Sequence, residues 1–221
     1  MPSLKDVELI IGNSGRNFSG GTSITIQLLD YQEKEMNLAI LGSRFIPKHF
    51  TTLNYLQFLL LTRKKLPNGK LRVFYTRKNN EMIQGLIAKY IFRSKIKIIF
   101  SSSAQRNHTK FTKWLMSKMD SVVSTSRKAG KYLDKEPDKI IPHGIDLNRF
   151  SLPEDKDKAW QALGFPGSIG IGIFGRVRYS KGIDILVDTA LDVLPKHPKA
   201  TVIICGEIQL EDQTYKNNML R

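Results

Sequence analysis

The chain has 221 residues, with 35 Lys+Arg against 20 Asp+Glu, a net charge of +15, one cysteine and 41% hydrophobic residues. That length holds one domain or two small ones, and the ordinary apolar fraction excludes wholesale disorder. A single cysteine excludes an intramolecular disulfide framework and a Cys-rich zinc site. The start, MPSLKDVELIIG, lacks the basic-then-apolar pattern of a secretory leader, and the most apolar stretch, 53–61, is about half of a bilayer span.

In chain order, the apolar runs at 7–11, 38–41, 71–75, 96–100, 121–123 and 139–141 read as buried strands bounded by turn signals. Helical patterns at 22–32, 52–65, 79–92, 106–118 and 126–133 separate them. In the third of these, Met82, Ile83, Leu86, Ile87 and Tyr90 form an apolar stripe behind Asn79 as N-cap. Such alternation predicts an α/β domain over 1–150 with a mostly parallel sheet, whose ligands lie in loops beyond the carboxyl ends of the strands. Residues 151–166 read as a linker, polar at first and closing on a short helix at 160–164. The pattern then restarts with a strand at 169–174, a loop at 175–180, a helix at 181–194, a strand at 201–205 and the beginning of a helix at 213–220. Two strands and one long helix do not cover both faces of a parallel sheet, and about 55 residues is near the limit for independent folding. Residues 167–221 are therefore expected to be the start of a second Rossmann-like domain, cut short.

The charge is unevenly placed. Residues 1–150 hold 26 basic and 11 acidic residues, whereas 151–221 hold nine of each. Within 63–118 there are 15 basic residues and a single acid, Glu81. A field of one sign costs self-repulsion and calls for an anionic partner: nucleic acid, an anionic membrane surface or a phosphorylated substrate.

Five segments carry candidate chemistry. In 171–184, IGIFGRVRYSKGID, a strand meets Gly175 and then Arg176, Arg178 and Lys181 where a helix begins. Gly175 permits a close turn, the helix start offers free N–H groups, and Arg176 and Lys181 supply charges for two adjacent phosphates or a departing diphosphate. In 12–22, GNSGRNFSGGT, the pair Gly20-Gly21 allows positive φ and close approach of a ligand, but neither the dinucleotide fingerprint nor a P-loop lysine is present. In 101–109, SSSAQRNHT, the residues Ser103, Gln105, Arg106 and His108 follow a strand, and His108 can exchange a proton near neutral pH. The adjoining Phe111, Leu115 and Met119, with Trp114 nearby, read as core. In 77–81, RKNNE, Glu81 is a polar ligand or a first-turn helix acid. In 140–150, IIPHGIDLNRF, Pro142 and Gly144 make a turn that Asp146 braces, with His143 directed to the space between the domains. Cys205 reads as a core thiol.

Taken together, IPHGIDLNRF, FGRVRYSKGIDILVDTAL and ATVIICGE resemble the retaining glycosyltransferases of family four, which have the two-domain GT-B fold. FSGGTSITIQLL, RKNNEMIQGL and SSSAQRNHTKFTKWLMSKMDSVVSTS narrow the resemblance to lipopolysaccharide core mannosyltransferases. The resemblance implies transfer of mannose or a related hexose, with retention, from a nucleotide sugar such as GDP-mannose. The implied acceptor is a lipid-linked core oligosaccharide, and no metal or further cofactor is expected. With the basic first domain, the resemblance points to a peripheral place on the anionic cytoplasmic face of the inner membrane; 53–61, ending in Arg63-Lys64-Lys65, either adds an apolar edge to that contact or is a core helix with a basic terminus. Carried onto this chain, Gly175, Arg176 and Lys181 hold the donor diphosphate. Gly20, Gly21, Glu81, Ser103, Gln105, Arg106 and His143 line the cleft and acceptor side, and His108 is the catalytic candidate. The chain departs from the family pattern in two places. Ser102-Ser103 stand where many members have a histidine, and the paired glutamates eight apart are missing, Glu207 and Glu211 being the only glutamates after Lys181.

Two other readings remain beside this one. One is a catalytically inactive remnant that binds only membrane or acceptor. The other is a nucleic-acid-binding protein using 63–118 with Tyr90, Phe92, Phe100 and Trp114, although no stacking platform or helix-turn-helix pattern accompanies them.

Overall fold

A computed structural model describes residues 3–15, 17–147, 149–208 and 212–219. The chain divides into two compact units, 1–150 and 151–221. The first is built on seven parallel strands: β1 (Leu9–Gly12), β2 (Leu38–Leu41), β3 (Thr52–Leu53), β4 (Arg72–Thr76), β5 (Ile96–Ser102), β6 (Ser121–Ser124) and β7 (Lys139–Ile140). Their order is β3-β2-β1-β4-β5-β6-β7. The chain thus winds outward from β1 to β3, returns to the centre and winds the other way from β4 to β7. A crevice opens at such a reversal, between β1 and β4, at the carboxyl edge of the sheet.

The helices between strands are α1 (Gly20–Glu35), α2 (Tyr55–Thr62), α3 (Asn79–Tyr90), α4 (Lys110–Met116) and α5 (Arg127–Gly130). Helix α1 covers one face through Leu29, packed with Ile11, Leu38 and Ile40. The other face carries α2 and α3, whose Phe58 and Ala88 join Ile10, Phe74 and Ile98. Beside them α4 buries Leu115 and Met116 against Met82 of α3 and Phe100 of β5. Gly85 of α3 is the close-approach point, since a Cβ there would stand 2.9 Å from the Phe74 ring.

Several boundaries shift for identifiable reasons. The helix expected over 52–65 begins with a two-residue edge strand, β3. Asn54 then caps α2 by accepting the Gln57 N–H at 2.8 Å, while Gln57 Oε1 takes the Asn54 N–H at 2.9 Å. Asn79 is the first residue of α3 rather than its cap, the cap position falling to Lys78. Helix α4 starts at Lys110 under Thr109, not at 106, so Arg106 and His108 lie in the preceding loop.

The second unit contains α6 (Lys156–Ala162), β8 (Ile169–Phe174), α7 (Ile183–Val193), β9 (Ala200–Cys205) and α8 (Gln213–Met219). Strands β8 and β9 pair in parallel in register Ile169↔Ala200 to Phe174↔Cys205. Residues 151–166, read as a linker, carry α6. Its Trp160 lies over Gly170 and donates Nε1–H to the Gly167 carbonyl at 2.9 Å. Ile169, Ile171 and Phe174 are exposed. Cys205 is exposed too, and not a core thiol, because it ends an edge strand of this two-stranded sheet. The α/β, parallel-sheet Rossmann-like architecture expected from sequence is present, and it is consistent with GT-B architecture.

Candidate functional site

The loops of the first unit meet at the carboxyl edge around Glu81. This side chain is fully buried. Its Oε1 accepts the Ser14 N–H at 3.1 Å and the Ser14 hydroxyl at 3.0 Å; its Oε2 accepts the N–H groups of Arg77 at 2.7 Å and Lys78 at 3.2 Å. A carboxylate offers about four lone-pair positions, and all are used. Glu81 therefore braces the loops after β1 and β4 and does not reach a ligand as a cleft residue. Gly12 is required by the same brace, because a Cβ there would come within 2.9 Å of Glu81 Cγ and Cδ.

Arg77, not singled out as a site residue from the sequence, completes the junction. Its Nη1 donates to the Gly21 carbonyl at 2.7 Å and to Thr25 Oγ1, and its Nη2 to the Gly12 carbonyl at 3.2 Å. The first turn of α1 is thereby tied to β1 and β4. The sequence signal was a basic residue directly after a strand; the strand order places it at the reversal point. Gly20 and Gly21 open α1 behind Ser19, whose Oγ accepts the Thr22 N–H at 3.3 Å. Neither adopts the positive φ that glycine allows. A Cβ at Gly20 would meet nothing within 4 Å, so the fold itself does not demand glycine there.

Beside this junction lies a cavity of about 360 Å³ lined by Arg77, Asn79, Ser103, Arg106, His108 and Thr112 among others. Asn79 Nδ2 donates to Thr112 Oγ1 at 2.8 Å, fixing α3 to α4. His108 Nε2 stands 3.4 Å from the Ser102 hydroxyl. Burial, then the charges of Arg106 and Lys113, hold the imidazole pKa below its ordinary value, with Asp134 acting in the opposite sense. The ring is thus neutral at pH 7 and able to accept a proton. Gln105 is exposed and lies outside the cavity lining.

A proton NMR titration is expected to place the His108 midpoint below about 6.5. Arg106→Gln should move it upward. With its pKa lowered, His108 binds fewer protons in the folded chain than in the unfolded one, so folding is favoured more as pH rises. The contribution is complete above the ordinary histidine value and is lost as pH falls through the lowered one. A midpoint at or above the ordinary value would contradict the burial seen here.

In the HGID turn His143, Gly144 and Ile145 are exposed and Asp146 is half-buried. Asp146 Oδ1 accepts the Arg149 N–H and the Tyr31 hydroxyl, each at 3.4 Å, so it also holds the turn to α1. Among the described residues, no three His, Cys, Asp or Glu side chains converge as a metal-binding group.

In the second unit, β8 runs into Gly175, at φ +138°, and Gly182, at φ +64°, immediately precedes α7. Lys181 closes a 3₁₀ turn (Tyr179–Lys181) ahead of the helix and does not begin it. The loop is fixed by the Gly175 N–H on the Cys205 carbonyl at 2.9 Å and the Val177 N–H on the Glu207 carbonyl at 3.1 Å. Val177 and Ile183 are buried, Arg176 is half-buried and Lys181 exposed. Among the described residues, neither cation makes an ion pair. Tyr215 donates its hydroxyl proton to Asp184 Oδ1 and accepts the Asp184 N–H, both at 2.9 Å, bracing the start of α7. Glu211 lies outside the described residues.

Comparison with known proteins adds to this geometry. No family model matches the chain. It is 37% identical over 220 residues to the lipopolysaccharide core biosynthesis mannosyltransferase LpcC of Rhizobium leguminosarum bv. viciae, an alignment covering 99% of this chain and 62% of that protein. It is 38% identical over 209 residues to the lipopolysaccharide core biosynthesis mannosyltransferase LpsB of Rhizobium meliloti, covering 93% and 58%. The crystal structure of the C-terminal domain of a glycosyl transferase group 1 family protein (LpcC) from Francisella tularensis is 35% identical, at a TM-score of 0.33, over 35% of this chain and 40% of that one. The chain is therefore related, as a family-level resemblance, to the LpcC and LpsB mannosyltransferases, and it spans about three fifths of the length of these two relatives.

Proposed function

We infer that the chain serves as a glycosyltransferase that moves mannose, with retention, from a nucleotide sugar, GDP-mannose being the candidate, to a lipid-linked lipopolysaccharide core oligosaccharide. The observation that carries this reading is likeness along 99% of the chain to a protein named for that activity. The geometry supports a division of labour. In the first unit the cavity beside His108 takes the acceptor, with Arg77, Arg106 and Ser103 as polar partners. The open start of α1 at Gly20 and Gly21 leaves N–H groups accessible to an anionic group. In the second unit Gly175, Arg176 and Lys181 hold the donor diphosphate and offset the charge that grows on it as the bond to the sugar breaks. His108, neutral at pH 7, takes the proton that the acceptor hydroxyl loses or orients that hydroxyl. In this reading the chain works peripherally at the inner face of the inner membrane.

The test is transfer of labelled mannose from GDP-mannose to truncated lipopolysaccharide acceptors, with LpcC of Rhizobium leguminosarum as positive control. Incorporation with the donor's anomeric configuration kept is the expected result. Failure to bind either GDP-mannose or the acceptors would sink the reading. Acceptor binding without transfer would select the binding-only alternative.

A further inference from the structure

Helix α4 does not bury its aromatic residues. Leu115 and Met116 are buried, whereas Phe111 and Trp114 are each 53% exposed, their rings stacked with centroids 6.0 Å apart. Helix α2 repeats the pattern: Phe58 and Thr62 are buried, while Leu56 and Leu60, one turn apart, are 65% and 64% exposed. The end of α3 adds exposed Tyr90, Ile91 and Phe92. These three helices form one layer on one face of the sheet. The Tyr55 hydroxyl of α2 donates to the Gln84 carbonyl of α3 at 2.9 Å, and α3 shares its apolar contacts with α4. Each connects parallel strands, so all three run in the same direction and end along one edge.

The charges on this layer have one sign. The single acid of 63–118, Glu81, is buried, so the exposed part of that segment carries cations only. Lys89 and Lys113 are spoken for by Asp120 and Asp134. Arg63, Lys64, Lys65, Arg93, Lys110 and Lys118 are exposed and, among the described residues, make no ion pair. A surface kept only for solubility mixes its signs. Exposed Trp, Tyr and Leu beside unpaired cations match an anionic bilayer, where the amphipathic rings lie at headgroup level and the cations meet lipid phosphates.

We propose that the outer face of the α2–α3–α4 layer docks on an anionic lipid surface, with Leu56, Leu60, Phe111 and Trp114 entering the headgroup region. Helix α4 belongs to both this face and the cavity. Thr109 and Thr112 line the cavity beside His108, and Phe111 stands between them in sequence on the exposed side. An acceptor anchored in the bilayer thus reaches the cavity along α4, a step that rests on the function proposed above.

Trp114 is its own reporter. In the full chain carrying Trp160→Phe, its emission should shift to the blue on vesicles of phosphatidylglycerol and phosphatidylcholine, and brominated acyl chains should quench it. Partitioning should fall with rising salt. It should also fall by roughly a hundredfold when Arg63, Lys64 and Lys65 become glutamine, and by roughly tenfold or more for Leu56→Gln with Leu60→Gln. Circular dichroism should stay unchanged, because all five side chains are exposed. Equal partitioning onto neutral vesicles, no loss in either variant, or tighter binding to RNA than to vesicles at physiological salt would overturn the docking face. GDP-mannose affinity measured on the same samples separates the two readings. Affinity kept while vesicle binding is absent removes only the docking face; vesicle binding without nucleotide-sugar affinity supports it and removes only the function.

Discussion

Replacing Glu81 with glutamine is expected to lower folding stability by about 3 kcal/mol, although the two side chains have the same shape. Both carboxylate oxygens are filled by donors, from Ser14 on one side and from Arg77 and Lys78 on the other. An amide has one acceptor oxygen and presents two hydrogens on its other arm. If its oxygen keeps the Arg77 and Lys78 N–H groups, the NH₂ faces Ser14. The hydroxyl can turn to accept, but the Ser14 N–H is left without a partner. In the other orientation two backbone N–H groups are orphaned. Each buried, unsatisfied donor costs about 1–3 kcal/mol. Urea unfolding should show a lower midpoint with little change in slope. Gly12→Ala should destabilise by the same route, pressing a methyl group onto Glu81. A Glu81→Gln chain as stable as the parent would mean that the loops do not depend on the brace.

That brace also shows what the sequence made legible. The strand–helix alternation was readable because the central runs of the parallel sheet are short and mostly apolar, most completely in Leu38–Leu41, where all four residues are buried. Strand β3 was not, since two residues give no periodicity and their apolar character merges with that of α2. The loop 101–109 was readable as a site because polar residues cluster at the end of β5. The role of Glu81 was not. An acid in the first turn of a helix is normally a solvated partner of the helix dipole. Only the reversal of strand order between β1 and β4 brings Ser14 against it from 67 residues away. Phe111 failed for another reason. Phe111, Leu115 and Met119 share a helical stripe in sequence, but Met116 fills the adjacent position against Met82 and Phe100, rotating α4 so that Phe111 faces outward.

Lys181→Ala and Arg176→Ala should each weaken GDP-mannose binding by about tenfold to a hundredfold, the range expected for losing one charge-assisted contact to phosphate. The loop that presents them is held by other groups: the Val177 N–H on the Glu207 carbonyl, the Gly175 N–H on the Cys205 carbonyl, and the buried Val177 and Ile183. Removing an exposed lysine and a half-buried arginine that make no ion pair among the described residues therefore leaves the frame intact, and stability should change by about 0.5 kcal/mol or less. Calorimetric titration with GDP, GMP and guanosine separates charge recognition from general damage. If the two cations hold the diphosphate, the loss is large for GDP, smaller for GMP and absent for guanosine, and it shrinks as salt rises. A parallel loss across all three ligands would mean that the loop had moved. Unchanged GDP affinity in both variants would take the diphosphate away from this loop, although among the described residues no other segment of the second unit combines a positive-φ glycine, a helix start and two cations without an ion pair.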